Sequence, residues 1–284
     1  MRIIRMMRPL LYLCAMAAVG GLTVPSHAGQ SREVLVIAGS PSLSAPLRAL
    51  AEAYEAKHPN VKVRLHFDNG LDHRRTIAGM QNSMVGQYFI EKGPIHLVAP
   101  GGDELITRLE MKYYVLPGTK RAYATERLVL IAPEAVADAP ESFEELGRVS
   151  EGLRLAIAEP QRTNLGRQTE EVLQEFDLKG KLRGRLDVAT DSRGVLDHVL
   201  GGEADLGIIF EHEAVRERER VRIVAVAERG YEPTVHSMAM ERYCPNRSLC
   251  EDFLAFIQTP EAQRIVRSAG YGVPGANHAR PVVR

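Results

Sequence analysis

Short apolar runs alternate along this chain with stretches whose apolar residues recur three or four apart. Residues 34–38 form the first such run, ending in Gly39-Ser40. Leu47, Leu50, Ala51 and Tyr54 then recur at helical spacing. His58-Pro59-Asn60 ends that helix, and Val61, Val63, Leu65 and Phe67 alternate as a strand does. The same reading makes strands of 95–98, 128–131, 155–158, 186–189, 206–210 and 221–226. It makes helices of 169–176 and 194–200, with closing helices at 253–257 and 262–268. Two gaps, 98–107 and 231–250, read as non-helical. No internal repeat or low-complexity tract interrupts the alternation. A β–α alternation of this kind predicts an α/β fold, with mainly parallel sheets flanked by helices on both faces.

The first 28 residues stand apart. Arg2, Arg5 and Arg8 precede an apolar run over residues 10–19, and Ser26-His27-Ala28 supplies the small residues of a cleavage site. This predicts a secretory signal peptide, cleaved after Ala28, and a periplasmic protein. The apolar run is too short for a membrane span. Cys14 follows Leu13, which is not the small residue that a lipoprotein signal places there, so a soluble protein without a lipid anchor is expected. The whole chain carries 36 basic and 36 acidic residues. Losing those three arginines leaves 33 against 36. A mildly acidic chain is a poor match to nucleic acid, whose partners neutralise phosphates with basic patches. What remains is enough for one large domain or two lobes of roughly 100–150 residues each.

Cys244 and Cys250 lie close together in "RYCPNRSLCED". In an oxidising compartment such a pair predicts a disulfide; a metal pair would need Cys or His neighbours that the local sequence lacks. Glu211-His212-Glu213 invites a metal reading, but adjacent residues on a strand end point apart, and no metal site is expected. Gly-x-Ser-x-Gly, His-Glu-x-x-His, the phosphate-binding loop and the dinucleotide fingerprint are all absent from the sequence, so no enzyme activity and no cofactor are expected. "AGSPSLS", residues 38–44, joins the first strand to the first helix. Ser40 and Ser42 could cap that helix, because serine is a preferred cap. They could also hold an anion at its N-terminus.

Several segments line up in order with one family. "VIAGSPSLSAPLRALAEAYEAKHPNVKVRLHF", "ERLVLIAP", "LRLAIAEPQRTNLGRQTEEVL", "GGEADLGIIFEHEAV" and "PEAQRIVRSAGYGVP" resemble the periplasmic molybdate-binding proteins of ABC importers. The resemblance implies a two-lobed periplasmic-binding fold with its cleft between the lobes. Lobe 1 would span 29–122, completed by 232–284, and lobe 2 would span 123–231. It implies a monomeric solute-binding protein that closes on a small anionic ligand and docks on an ABC permease in the inner membrane. The alternative is a periplasmic ligand-sensing partner of a receptor kinase.

The family holds its anion with hydroxyls and backbone N–H groups. Ser42 falls where the first loop supplies a ligand serine, with Ser40 two residues before it. Gly70 falls where a second ligand serine would be. Leu165 and Ser192 fall where the family contributes backbone N–H groups. Phe210 replaces a ligand tyrosine. An extra stretch around 79–89 interrupts the first lobe, and "GPIHLVAP" replaces a "Pro-Ala-Asp-Val-Phe" segment. Two hydroxyls are therefore missing, each worth roughly 1.5–3 kcal/mol to a charged ligand. Arg74 and Arg75, just past Gly70, offer planar forks to a carboxylate or phosphonate. They also read as a solvated helix face. The departures point away from molybdate and toward an organic acid or phosphonate.

Overall fold

The structure is a computed structural model and describes residues 32–67, 94–148 and 152–275. The leader with its cleavage site, Gly70, Arg74, Arg75 and the 79–89 stretch lie outside the described residues.

Strand β1 (Glu33–Gly39) is buried over its last five residues, as a run of Leu, Val and Ile between two covered faces should be. A single 3₁₀ turn, Pro41–Leu43, leads into α1 (Ser44–Lys57). Leu47, Leu50, Ala51 and Tyr54 form its buried face. The Tyr54 hydroxyl donates to Asp252 at 2.6 Å, and its ring meets Phe253 edge-on. Strands β2 (Val61–Phe67) and β3 (Leu97–Ala99) follow, then α2 (Asp103–Met111), β4 (Arg121–Thr125) and β5 (Leu128–Ala132). Next come α3 (Phe143–Leu146), β6 (Leu155–Ala158), α4 (Asn164–Glu175), β7 (Leu186–Ala189) and α5 (Ser192–Gly201). The chain closes with β8 (Leu206–Phe210), α6 (Glu211–Arg216), β9 (Arg222–Val226), β10 (Val235–Met240), α7 (Arg247–Phe256) and α8 (Pro260–Ser268).

The strands form two five-stranded sheets, ordered β2-β1-β3-β10-β4 and β7-β6-β8-β5-β9. Each has its own core. Leu35, Ile37, Leu47, Tyr54 and Phe253 anchor the first, with a smaller cluster around Val98 and Ile106. Leu130, Ile157, Val172, Val195 and Ile208 anchor the second. This is the expected two-lobed α/β architecture. The sheets are mixed, however, rather than mainly parallel. In the first, β1 pairs with β2 and β3 in parallel, while β10 pairs with β3 and β4 antiparallel. In the second, β6 pairs with β7 and β8 in parallel, while β5 pairs with β8 and β9 antiparallel. The antiparallel members flank the two passages between sheets. A strand that arrives from the other sheet is free of the helical crossover that forces parallel pairing.

The two gaps read as non-helical are structured. α2 begins inside the first, with Asp103 and Glu104 in its first turn, where acids suit the helix dipole. β10 and the start of α7 fill much of the second. His236 and Ser237 interrupt the apolar pattern of "VHSMAM", yet both are buried. Asn246 caps α7 by accepting from the Leu249 N–H at 3.1 Å. Cys244 and Cys250 form a disulfide at this entry to α7. Among the described residues, no helix is long and apolar enough to cross a membrane.

Candidate ligand site between the lobes

A cavity of about 350 Å³ opens where the chain passes from one sheet to the other. Ser42 and Gly101 line it from the first sheet's loops. Asn164, Phe210, His212 and Glu213 line it from the second. Glu126, Thr234 and His236 line it at the passages between them. That volume suits a small ligand.

The serine turn divides its labour. Ser40 is fully buried and caps the 3₁₀ turn, its Oγ accepting from the Ser42 N–H at 3.1 Å. The two hydroxyls are 2.6 Å apart. Ser42 is exposed and lines the cavity. Its carbonyl accepts from the Tyr271 hydroxyl at 2.7 Å, which ties the turn to the segment returning after α8. Burial pushes the Tyr271 hydroxyl well above its ordinary pKa.

The second lobe presents helix starts. Thr163 caps α4 by accepting from the Gly166 N–H at 2.9 Å. A Cβ on Gly166 would lie 2.4 Å from the Ala158 carbonyl oxygen and 2.6 Å from the Glu159 carbonyl group. Only glycine lets α4 start this close to the end of β6. Leu165 points into the second core and is buried. Its neighbour Asn164 reaches the cavity and donates to Thr234 Oγ1 at 2.6 Å. Asp191 caps α5, and the Ser192 hydroxyl donates to the Glu213 carboxylate. Glu213 also accepts from the Phe210 N–H at 3.3 Å. Phe210, at the end of β8, lines the cavity as an apolar wall.

Of the site residues expected from the sequence, the cavity therefore brings together Ser42 and Phe210. Ser40 supports Ser42 from behind, Ser192 is engaged with Glu213, and the Leu165 side chain lies in the core.

Sequence reasoning missed the polar centre of this cleft. Glu126 sits between β4 and β5, buried, with one histidine on each oxygen. His212 Nδ1 is 3.0 Å from Oε2, and His236 Nε2 is 2.9 Å from Oε1. A carboxylate can only accept, so those ring nitrogens carry the protons. Burial alone would raise the Glu126 carboxyl. The hydrogen bonds from both histidines and their charge outweigh it and hold the carboxyl at about 2. His212 also stacks on Tyr271, with ring centroids 4.8 Å apart. Gly270, at φ +80°, lets the return segment close on it: a Cβ there would lie 2.6 Å from His212 Cα.

Glu211, His212 and Glu213 each turn to a different partner. Glu211 meets Arg127 at 3.1 Å, His212 meets Glu126, and Glu213 meets Ser192. They occupy the first turn of α6, where neighbours point about 100° apart. The Glu211-His212-Glu213 run after the apolar β8 marks His212 in the sequence, but nothing in it shows the link to Glu126 and His236.

The cleft's two carboxylates are thus satisfied from within. Outside it, Asp187, His198 and Glu203 cluster on the second lobe. There His198 Nδ1 is 2.7 Å from Asp187, and Arg154 lies 3.8 Å from the same carboxylate, as in an ordinary ion-pair network.

Comparison with known proteins agrees with this architecture. The family described as "Bacterial extracellular solute-binding protein" matches residues 35–272. The molybdate-binding protein ModA of Haemophilus influenzae is 24% identical over 245 residues, covering 85% of this chain and 90% of its own. The substrate-binding domain assigned to a molybdenum ABC transporter of Clostridium difficile superposes with a TM-score of 0.70 at 21% identity, over 84% of this chain and 98% of its own. The Azotobacter vinelandii periplasmic molybdate-binding protein superposes with a TM-score of 0.53 at 20% identity, over 84% and 99%. These relatives are binding proteins rather than enzymes. The chain belongs to the bacterial extracellular solute-binding protein family, with molybdate-binding proteins among its relatives.

Proposed function

We propose that this protein, exported and cleaved after Ala28, binds a small anion in the interlobe cleft and delivers it, as a monomer, to an ABC permease of the inner membrane. The observation that carries this reading is the meeting of Ser42 and Phe210 in one cavity at the passage between sheets. They come from different lobes and far-apart segments, so a ligand touching both bridges the lobes. Such a ligand favours the closed state and shifts the population toward it.

The ligand is a molybdate-like oxyanion or, as the sequence departures favour, an organic acid or phosphonate. The Ser42 hydroxyl and the Asn164 amide supply donors, and the apolar Phe210 wall suits a ligand with distinct ends. Glu126 does not repel an anion as a bare carboxylate would, because both its oxygens hold imidazole N–H groups. Glu213 is likewise engaged by Ser192 and the Phe210 N–H.

A thermal-shift panel of oxyanions, phosphonates and small carboxylates on the mature protein tests the reading. Ligand at a hundred times its dissociation constant stabilises by roughly 2.7 kcal/mol, or about 5–10 °C for a chain of this size. Neutral and cationic solutes serve as controls, and a rise in melting temperature with one of those but with none of the anions would overturn it.

A further inference from the structure

We propose that His212 is a specificity-determining ligand contact of this cleft. Its imidazolium donates from Nε2 to a charged oxygen of the anion, in place of the hydroxyl that Phe210 lacks. The inference rests on the anion reading above and adds a residue and a pH dependence to it.

The geometry points to His212 in three ways. It lines the cavity beside Phe210, and the two rings lie parallel with centroids 5.9 Å apart. A donor there stands next to the position of the lost hydroxyl. Second, the ring cannot turn away. Nδ1 is committed to Glu126 at 3.0 Å, Tyr271 stacks on one face, and Gly270 presses on its backbone. Third, Nε2 is the ring's remaining polar atom, and no hydrogen bond occupies it among the described residues. His236 is the competing candidate, since it shares the same carboxylate. Its other nitrogen, Nδ1, is buried, with no hydrogen-bond partner among the described residues.

Charged and titratable groups face His212 from several elements. Glu126 faces it from the passage between β4 and β5, and His236 faces it from β10 across that carboxylate. Tyr271 faces it from the return segment and is neutral. On its own helix, Glu211 is paired with Arg127, which also lies 3.7 Å from Glu228. Glu213 is held by Ser192, and Arg216 is exposed at the helix end. An ionised Glu126 behind the ring thus offsets the imidazolium, and the anion takes the ring's outer N–H. This resembles the way a backing carboxylate fixes and strengthens a functional imidazole elsewhere.

The expected consequence is proton uptake on binding. For a probe that does not itself titrate, proton uptake on binding raises the dissociation constant by up to about tenfold per pH unit. Calorimetry with sulfate, molybdate and L-lactate, each at about pH 6 and about pH 8, measures this, since His titrates in that range while these probes do not. The expected result is a probe that binds more tightly at the lower pH, with an enthalpy that depends on buffer ionisation. In His212→Gln the binding should be weaker and flat with pH. In wild type, ¹⁵N spectra should show the His212 ring moving on probe binding while His236 stays. That measurement needs no variant, so a misfolded His212→Gln would not shelter the proposal. Binding that is pH-independent, or unchanged in a folded His212→Gln, overturns the role of His212 and leaves the anion reading standing. If no probe binds at either pH, the anion reading falls and this inference falls with it.

Discussion

Glu126→Gln removes one charge and almost no volume from a buried carboxylate held by two histidines. Its effect can be worked from the pKa. The folded carboxyl sits at about 2 against an ordinary 4.5. Each unit is worth 1.36 kcal/mol, so the ionised form contributes about 3 kcal/mol to folding at neutral pH. The group is fully buried, so solvent screening takes little from this figure. The sign follows from a depressed folded pKa. The contribution is complete above about 4.5 and is lost as pH falls toward about 2. Structure gives a similar size independently, because breaking one partner of a buried ion pair typically costs about 3–5 kcal/mol. A glutamine amide would also set an N–H₂ against one of two imidazole N–H groups.

Urea unfolding of wild type and Glu126→Gln across pH should therefore show a gap of about 3 kcal/mol near neutrality that narrows below about pH 4.5. Taking the difference between the two proteins cancels the other acids, including Glu55, whose pKa is lowered, and Glu211 and Glu241, whose pKa values burial raises. A gap under about 0.5 kcal/mol at neutral pH, the size of an ordinary surface substitution, would refute the reasoning. So would a gap that does not narrow with acid.

Four further outcomes are expected. Ser42→Ala should weaken anion binding by about tenfold or more while changing stability by less than about 0.5 kcal/mol, whereas Ser40→Ala should lose about 1 kcal/mol of stability as a cap; calorimetry and melting on both variants decide it, and full affinity in Ser42→Ala would count against the site. Replacing Cys244 and Cys250 with serine should cost about 2 kcal/mol for so short a loop, and mass spectrometry of alkylated, unreduced protein should find neither thiol free. Gly166→Ala forces α4 off the end of β6 and should destabilise by roughly 1–3 kcal/mol despite alanine's better helix propensity; a rise in melting temperature would contradict the packing argument. Arg74→Ala or Arg75→Ala should weaken an organic anion, with molybdate and tungstate binding poorly in calorimetry; submicromolar binding of either metal oxyanion would refute the altered-ligand reading.

What the sequence revealed follows from what its pattern can carry. β1, β6 and β8 were legible because strands covered on both faces read as unbroken apolar runs. β4 and β10 escaped notice because they flank the passages between lobes. Their Thr125 and His236 are polar residues held inside the protein by tertiary partners and not by local pattern. The site divides the same way. Ser42, in the turn after β1, and Phe210, at the end of β8, fall at positions that the family resemblance marks. Glu126, His212 and His236 are far apart in sequence, and no local run or period links the three. Their association exists only once both sheets are in place.

On the hinge-closure reading proposed above, that association would also constrain how the lobes move. Glu126 belongs to the first passage between sheets, His236 to a strand of the first sheet, and His212 to a helix beside the second. A rotation of one lobe against the other displaces His212 relative to His236. Both bonds to Glu126 survive only if the axis runs through or near that carboxylate. An axis elsewhere would break one of them and leave a charge buried with half its partners, at a cost of several kcal/mol. On the hinge-closure reading proposed above, an axis at that carboxylate is the one that keeps both bonds, and Glu126→Gln is then expected to disturb closure and ligand contact together.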